Sequence, residues 1–254
     1  MDIRRYLFIF LTLCSTFIIL STTEQNKIES GTPITFRKKA EQSLCRRGYI
    51  VSYNKDTKTP NWVAWHLSAS RTEGHVERPN AGAFHEDAEV PAPRAQNEDY
   101  KGSGWSRGHM CPAGDNKWDS IAMYESFLLT NVCPQRANLN SGVWNQIEII
   151  CRQWATKYGD LDIVCGPIYY NQKHDTIGVN KVVVPDAFFK VILCLQDKPK
   201  GIGFICINMK ENREIGFYVH SINQIERITG YTFFPHLNPL ISEQVKSKSN
   251  LKEW

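Results

Sequence analysis

At 254 residues, with 42% hydrophobic and 22% charged side chains, the chain is long enough to bury a core and has an ordinary globular composition. It carries no internal repeat or low-complexity tract, which excludes solenoids and tail-like chains. A net charge of +4 tolerates a polyanionic partner without demanding one.

Residues 1–22 read as an export signal: Arg4 and Arg5 precede an apolar run over 6–20 and small residues at Ser21 and Thr22. The run is shorter than the ~20 apolar residues of a spanning helix, and Leu13 before Cys14 argues against lipidation. Export to the periplasm or the medium predicts that some of Cys45, Cys111, Cys133, Cys151, Cys165, Cys194 and Cys206 pair, with at least one thiol left over. No two of them form a CxxC, which argues against a zinc or thioredoxin-like site.

Residues 23–44 are predicted to be a polar linker, with a basic cluster at Arg37-Lys38-Lys39, and the domain is expected over 45–238. Residues 45–53 and 62–67 read as two strands around a turn at Asn54-Lys55-Asp56, a hairpin. Regular periodicity is lost over 68–100, where Arg71, Arg78 and Arg94 lie; so long a loop is functional or disordered. Residues 106–112 suit a strand end and a turn, and 127–132 a further strand ended by Pro134. Trp144, Ile147, Cys151, Trp154 and Tyr158 then share one helical face, with Asn140 as cap and Gly159 as stop. Ser141, Asn145, Glu148 and Arg152 form a polar stripe beside it. Apolar runs over 161–165, 182–184, 188–195 and 202–209 predict a buried sheet, Ser221 opens a helix, and 239–254 reads as a tail. One mixed α/β domain fits this order.

Phosphodiester hydrolysis needs a base for water, positive charge for the transition state and help for the leaving oxygen. His109 titrates near neutrality and suits the base, Gly108 admits close approach, and Arg107 is a permanent phosphate-matching cation. Asn140 can bind Mg²⁺ without cancelling its charge, and Glu148 and Arg152 stand one turn apart on the same helix. Each has an ordinary alternative: a structural histidine, a cap, a surface ion pair.

The stretches GSGWSRGHMCPAGDN and FLLTNVCPQRANLNSGVWNQIE resemble the DNA/RNA non-specific endonucleases, the family of bacterial sugar-non-specific nucleases and mitochondrial endonuclease G. The family signature is Asp-Arg-Gly-His, Asn-x-x-Pro-Gln and Leu-Asn-x-x-x-Trp-x-x-x-Glu. Arg107-Gly108-His109, Asn131 to Gln135, and Leu139-Asn140 with Trp144 and Glu148 match it in order. YNKDTKTPNWVAWHL, FFKVILCL and SINQIERITGYTFFPHL extend the similarity to roughly residues 46–238. The resemblance implies a ββα-metal (His-Me finger) core in a mixed, largely antiparallel sheet with flanking helices. It implies an endonuclease acting on DNA and RNA, leaving 5′-phosphate and 3′-hydroxyl ends, with Mg²⁺ as cofactor and Mn²⁺ as its substitute. His109 would be the general base and Asn140 the sole direct metal ligand, with Glu148 acting through water on the metal. Arg152 would steady the phosphate or leaving group, Arg107 would support the site and Asn131 would position His109. Arg78 is the loop arginine assigned to a substrate phosphate. Ser106 stands where the family usually has Asp, so a negative charge beside Arg107 is missing. A Cys111–Cys133 bridge, if formed, would pin the finger. Two other classes of function are distinguishable by experiment: a catalytically silent nucleic-acid binder of the same fold, and a disulfide-stapled surface interaction protein.

Overall fold

The computed structural model describes residues 31–80, 83–211 and 213–254. The export signal expected over residues 1–22 lies outside them. Strands β1 (Gln42–Cys45), β2 (Ile50–Asn54) and β3 (Thr59–Leu67) are followed by a small hairpin, β4 (Ser106–His109) and β5 (Val132–Gln135). After it come helix α1 (Asn145–Tyr158), strands β6 (Leu161–Ile168), β7 (Ala187–Cys194), β8 (Lys200–Ile207) and β9 (Val219–His220), and helices α2 (Ile222–Thr229) and α3 (Pro239–Ser247). Seven strands form one antiparallel sheet in the order β9-β8-β7-β6-β3-β2-β1.

The unbroken apolar runs of β6 and β7 arise because both faces of this sheet are covered. Phe188, Ile192 and Cys194 face one way and pack with Trp144, Ile147, Cys151 and Trp154, the apolar stripe read from the sequence. Phe189, Val191 and Leu193 face the other way, under Ile222 and Ile225 of α2 and Val245 of α3. The second layer sits so close that a Cβ at Gly203 would meet Ile225 Cδ1 at 2.3 Å, and one at Gly201 the Val245 carbonyl oxygen at 2.6 Å. Helix α2 starts as expected: Ser221 Oγ accepts from Gln224 N, and Gln224 Oε1 accepts from Ser221 N.

Several boundaries differ from the sequence reading. The expected linker carries β1, the edge strand of the main sheet, so the strand expected over 45–53 is two strands with a turn between them. The expected tail holds α3, and Trp254 packs on Trp154 with ring centroids 4.5 Å apart. Both segments are polar in composition because only one side of each is covered. The strand expected over 127–132 is a helical turn, Leu129–Asn131, followed by β5, which includes Pro134. Proline is tolerated there because β5 pairs only with β4.

All seven described cysteines are free, and six are buried. Cys111 and Cys133 do not bridge: Cys165 Sγ donates to the Met110 carbonyl and Asn116 Nδ2 lies 3.3 Å from Cys111 Sγ. Burial pushes the Cys151 and Cys165 thiols up to about 12, so they behave as small hydrophobic side chains.

The long 68–100 stretch is tied down by charge. Arg46 and Asp87, both almost fully buried, pair at 2.6 Å, and Arg46 also reaches Glu89. Asp87 in turn accepts from Thr130 Oγ1 at 2.7 Å, one residue before Asn131. Arg46→Ala should therefore destabilise the fold by about 3–5 kcal/mol, because Asp87 would be left buried and unpaired. Urea unfolding checks it; a loss below about 1 kcal/mol would mean that the pair is not holding the loop.

Candidate active site

The β4–β5 hairpin pairs Ser106 with Gln135, Arg107 with Pro134, Gly108 with Cys133 and His109 with Val132. Gly108 is required by its own neighbour: a Cβ there would lie 2.2 Å from Gln135 Oε1. The close approach expected at Gly108 is thus made by the Gln135 side chain. Gln135 is fully buried, and neither end of its amide has a hydrogen-bond partner among the described residues.

His109 ends β4 and is 7% exposed. Its ring lies between Phe84 and Phe127, with centroids 4.9 and 5.0 Å away, and its backbone oxygen accepts from Trp144 Nε1 at 3.1 Å. Asn131, expected to position His109, does not touch its ring and bonds the chain on the far side of the histidine. Its Oδ1 accepts from Cys111 N, its Nδ2 donates to the Cys111 and Ser126 carbonyls, and its own carbonyl takes Met110 N. Burial, followed by the charge of Arg78, lowers the His109 pKa to about 3. The imidazole is thus neutral, and its Nε2 has no hydrogen-bond partner among the described residues.

Asn140 is not the cap of α1. A short helix, Ala137–Leu139, runs into a widened turn at Asn140–Trp144 before α1, and Gly142 leaves helical geometry inside that turn (φ −97°, ψ −117°). Asn140 itself is helical and donates its backbone N–H to Arg136 O. Its side-chain amide has no hydrogen-bond partner among the described residues, so the oxygen that would have capped a helix is free. Such widened turns recur at functional positions in helices.

His109, Asn140, Glu148, Arg107 and Arg78 line one cavity of about 700 Å³, with Trp105, Ser106, Phe84 and Phe127 completing most of its wall. Desolvation, opposed by Lys190, pushes the Glu148 pKa up to about 7. Lys190 is a buried lysine of β7 lying over the Trp144 and Trp65 rings at 4.3 and 5.3 Å. A raised carboxylate pKa means that the folded state holds this proton more tightly than the unfolded one. In protein free of metal, the stabilisation is full below the ordinary carboxylate range and is lost as pH rises through about 7. Glu148→Gln should accordingly stabilise the metal-free protein by about 1–2 kcal/mol at pH 8 and by almost nothing at pH 5. Thermal unfolding in chelator at the two pH values checks this; an equal effect at both would mean that Glu148 is not strained by its charge.

Arg107 stacks near Phe84 and Tyr100 (5.6 and 5.3 Å), donates to Asn97 O at 2.9 Å, and has no ion-pair partner among the described residues. With Ser106 in place of an acid, its charge is left for the cavity. Arg78 is exposed and lies 5.7 Å from the Phe127 ring. Arg152 does not line the cavity and does not pair with Glu148. It donates to Asp115 Oδ1 at 2.9 Å, and the other Asp115 oxygen accepts from Trp65 Nε1. Of the remaining loop arginines, Arg71 is buried on the His66 carbonyl and Arg94 pairs with Glu86.

Sequence reasoning missed Gln135 as an individual and Phe84, Phe127 and Lys190 altogether. The NxxPQ match contained the first, and only the fold brings the other three to the site.

A β-hairpin that ends in a histidine, followed by a helix with an asparagine at its entrance, defines a ββα-metal nuclease, and the overall fold agrees. A crystal structure of EndoG bound to EndoGI superposes with a TM-score of 0.78 at 27% identity, covering 87% of this chain and 95% of that one. A model of the DNA/RNA non-specific endonucleases matches residues 30–240, and the chain belongs to that family. It is 36% identical over 228 residues to the human protein named Nuclease EXOG, mitochondrial, covering 82% of this chain and 60% of that one. It is 32% identical over 234 residues to Nuclease C1 of Cunninghamella echinulata var. echinulata, covering 86% of this chain and 91% of that one.

Proposed function

We propose that this chain is a Mg²⁺-dependent endonuclease that hydrolyses DNA and RNA with little sequence preference. The observation that carries the reading is the convergence of His109, Asn140, Glu148 and two arginines on one cavity. A cation fits this donor set: Asn140 offers an unpartnered neutral oxygen, and Glu148 supplies the negative charge nearby. Among the described residues no group of three or more His, Cys, Asp or Glu could hold a metal. When bound, the cation would supply Lewis-acid stabilisation of charge on the phosphate and on the leaving oxygen. His109 Nε2 takes the proton from attacking water, while Arg107 and Arg78 neutralise the phosphate. Arg152 fixes Asp115 behind the site. Nothing in this chemistry uses a 2′-hydroxyl, which allows both polymers as substrates, and the family resemblance implies 5′-phosphate and 3′-hydroxyl products.

Supercoiled plasmid and a structured RNA should both be cut in Mg²⁺ or Mn²⁺ and spared in EDTA. Salt-sensitive binding without cutting would replace the enzyme with a silent binder, and indifference to nucleic acid would leave an interaction protein. Export is part of the reading and is supported by the leader-like residues 1–22 alone. No helix among the described residues is long and apolar enough to cross a membrane. Fractionation of tagged full-length protein tests export, and retention inside the cell would overturn it.

A further inference from the structure

The wall that the catalytic cavity shares with its neighbour is a single side chain. Trp105 lines both the cavity of His109 and Asn140 and a second one of about 290 Å³. The Arg136 guanidinium lies 3.9 Å from the Trp105 ring centroid. Its backbone N–H donates to Asn208 Oδ1 at 2.9 Å, which fixes the end of the catalytic hairpin against the main sheet. Arg136 and the exposed Lys173 both line this second cavity, and neither has a carboxylate partner among the described residues. Of the two carboxylates on its wall, Asp186 already accepts from the Tyr170 and Asn171 backbone and from His174 Nε2, and Asp175 is exposed.

An indole and a guanidinium in face contact offer a flat, sequence-tolerant surface for a nucleobase, and unpaired cations beside it suit the next phosphate. Continuity matters more than either feature alone: a strand leaving the catalytic cavity past Trp105 enters the second one directly. We propose that the Trp105–Arg136 stack and Lys173 form a binding subsite for the first nucleotide beyond the two that the scissile phosphodiester joins, on an unpaired strand. This rests on the nuclease reading and adds to it a preference for substrates whose flanking base is free to stack.

The test is the dependence of kcat/KM on length for single-stranded di-, tetra- and hexanucleotides in Mg²⁺. In the parent protein the gain on passing from the dinucleotide to the longer strands should be about tenfold or more, the range of one base–aromatic stack. Arg136→Gln, which keeps the aliphatic stem, should lose most of that gain, through KM rather than kcat. A gain of undiminished size in the variant overturns the subsite. So does an equal fall at every length, which would mark Arg136 as structural. Should Arg136→Gln not fold, Lys173→Ala decides in its place by the same criteria, since that exposed side chain supports nothing else. Absence of cutting by the parent protein at every length would instead be the failure of the nuclease reading.

Discussion

His109→Ala should lower kcat for plasmid nicking by about 10²–10⁴-fold, the range over which a positioned general base accelerates proton transfer. The arginines on the cavity wall offer only donors, and Glu148 is the one ionisable acceptor beside His109 on that wall among the described residues. Burial between Phe84 and Phe127 and the charge of Arg78 keep the imidazole neutral down to about pH 3 in the free protein, so its nitrogen is unprotonated, and the charge of an incoming phosphate favours the imidazolium that proton transfer forms. In metal-free protein His109 therefore stays neutral through its ordinary titration range, and Glu148 is the group that titrates near 7. Steady-state nicking by parent and variant, with unfolding midpoints compared, checks the effect. Residual activity within tenfold of the parent would remove His109 from the chemistry.

Asn140→Ala should abolish the Mg²⁺-stimulated rate, a loss of at least about 10²-fold given the several kcal/mol that a Lewis-acid cation contributes. The alanine removes an uncommitted amide oxygen at the helix entrance and leaves the backbone hydrogen bond to Arg136 in place. Asn140→Asp separates two readings, since it keeps an oxygen but adds a negative charge that partly cancels the cation. It should bind Mg²⁺ at least as tightly and cut more slowly than the parent. Calorimetric Mg²⁺ titration beside nicking assays measures both. An alanine variant with the parent's Mg²⁺ dependence would place the cation elsewhere.

The contrast between Asn140 and Arg152 shows how local pattern misleads. Both lie where helical periodicity reads easily. The cap expected at Asn140 and the surface ion pair open to Glu148 with Arg152 are each the commoner outcome for such residues. Neither occurs. The widened turn around Gly142 starts the helix earlier than the apolar stripe suggests, which leaves the Asn140 amide uncommitted. Asp115, 37 positions away in sequence, takes the Arg152 guanidinium. A period of 3.6 places side chains on a face but cannot say what stands opposite.

The family, the apolar stripe of α1, the buried core strands and the capped start of α2 were all legible in the amino-acid sequence. These are set by short-range spacing and by residue types that have few other uses. The tertiary structure alone decided that residues 23–44 and 239–254 include covered elements, that the thiols stay apart, and that Phe84, Phe127, Arg78 and Lys190 surround His109 and Glu148. It also decided how the two central groups titrate, His109 downward and Glu148 upward. The physical reason is the same in each case: desolvation and Coulomb interaction depend on distance in space, and residues brought together across the β-hairpin and the sheet leave no trace in the spacing of either segment.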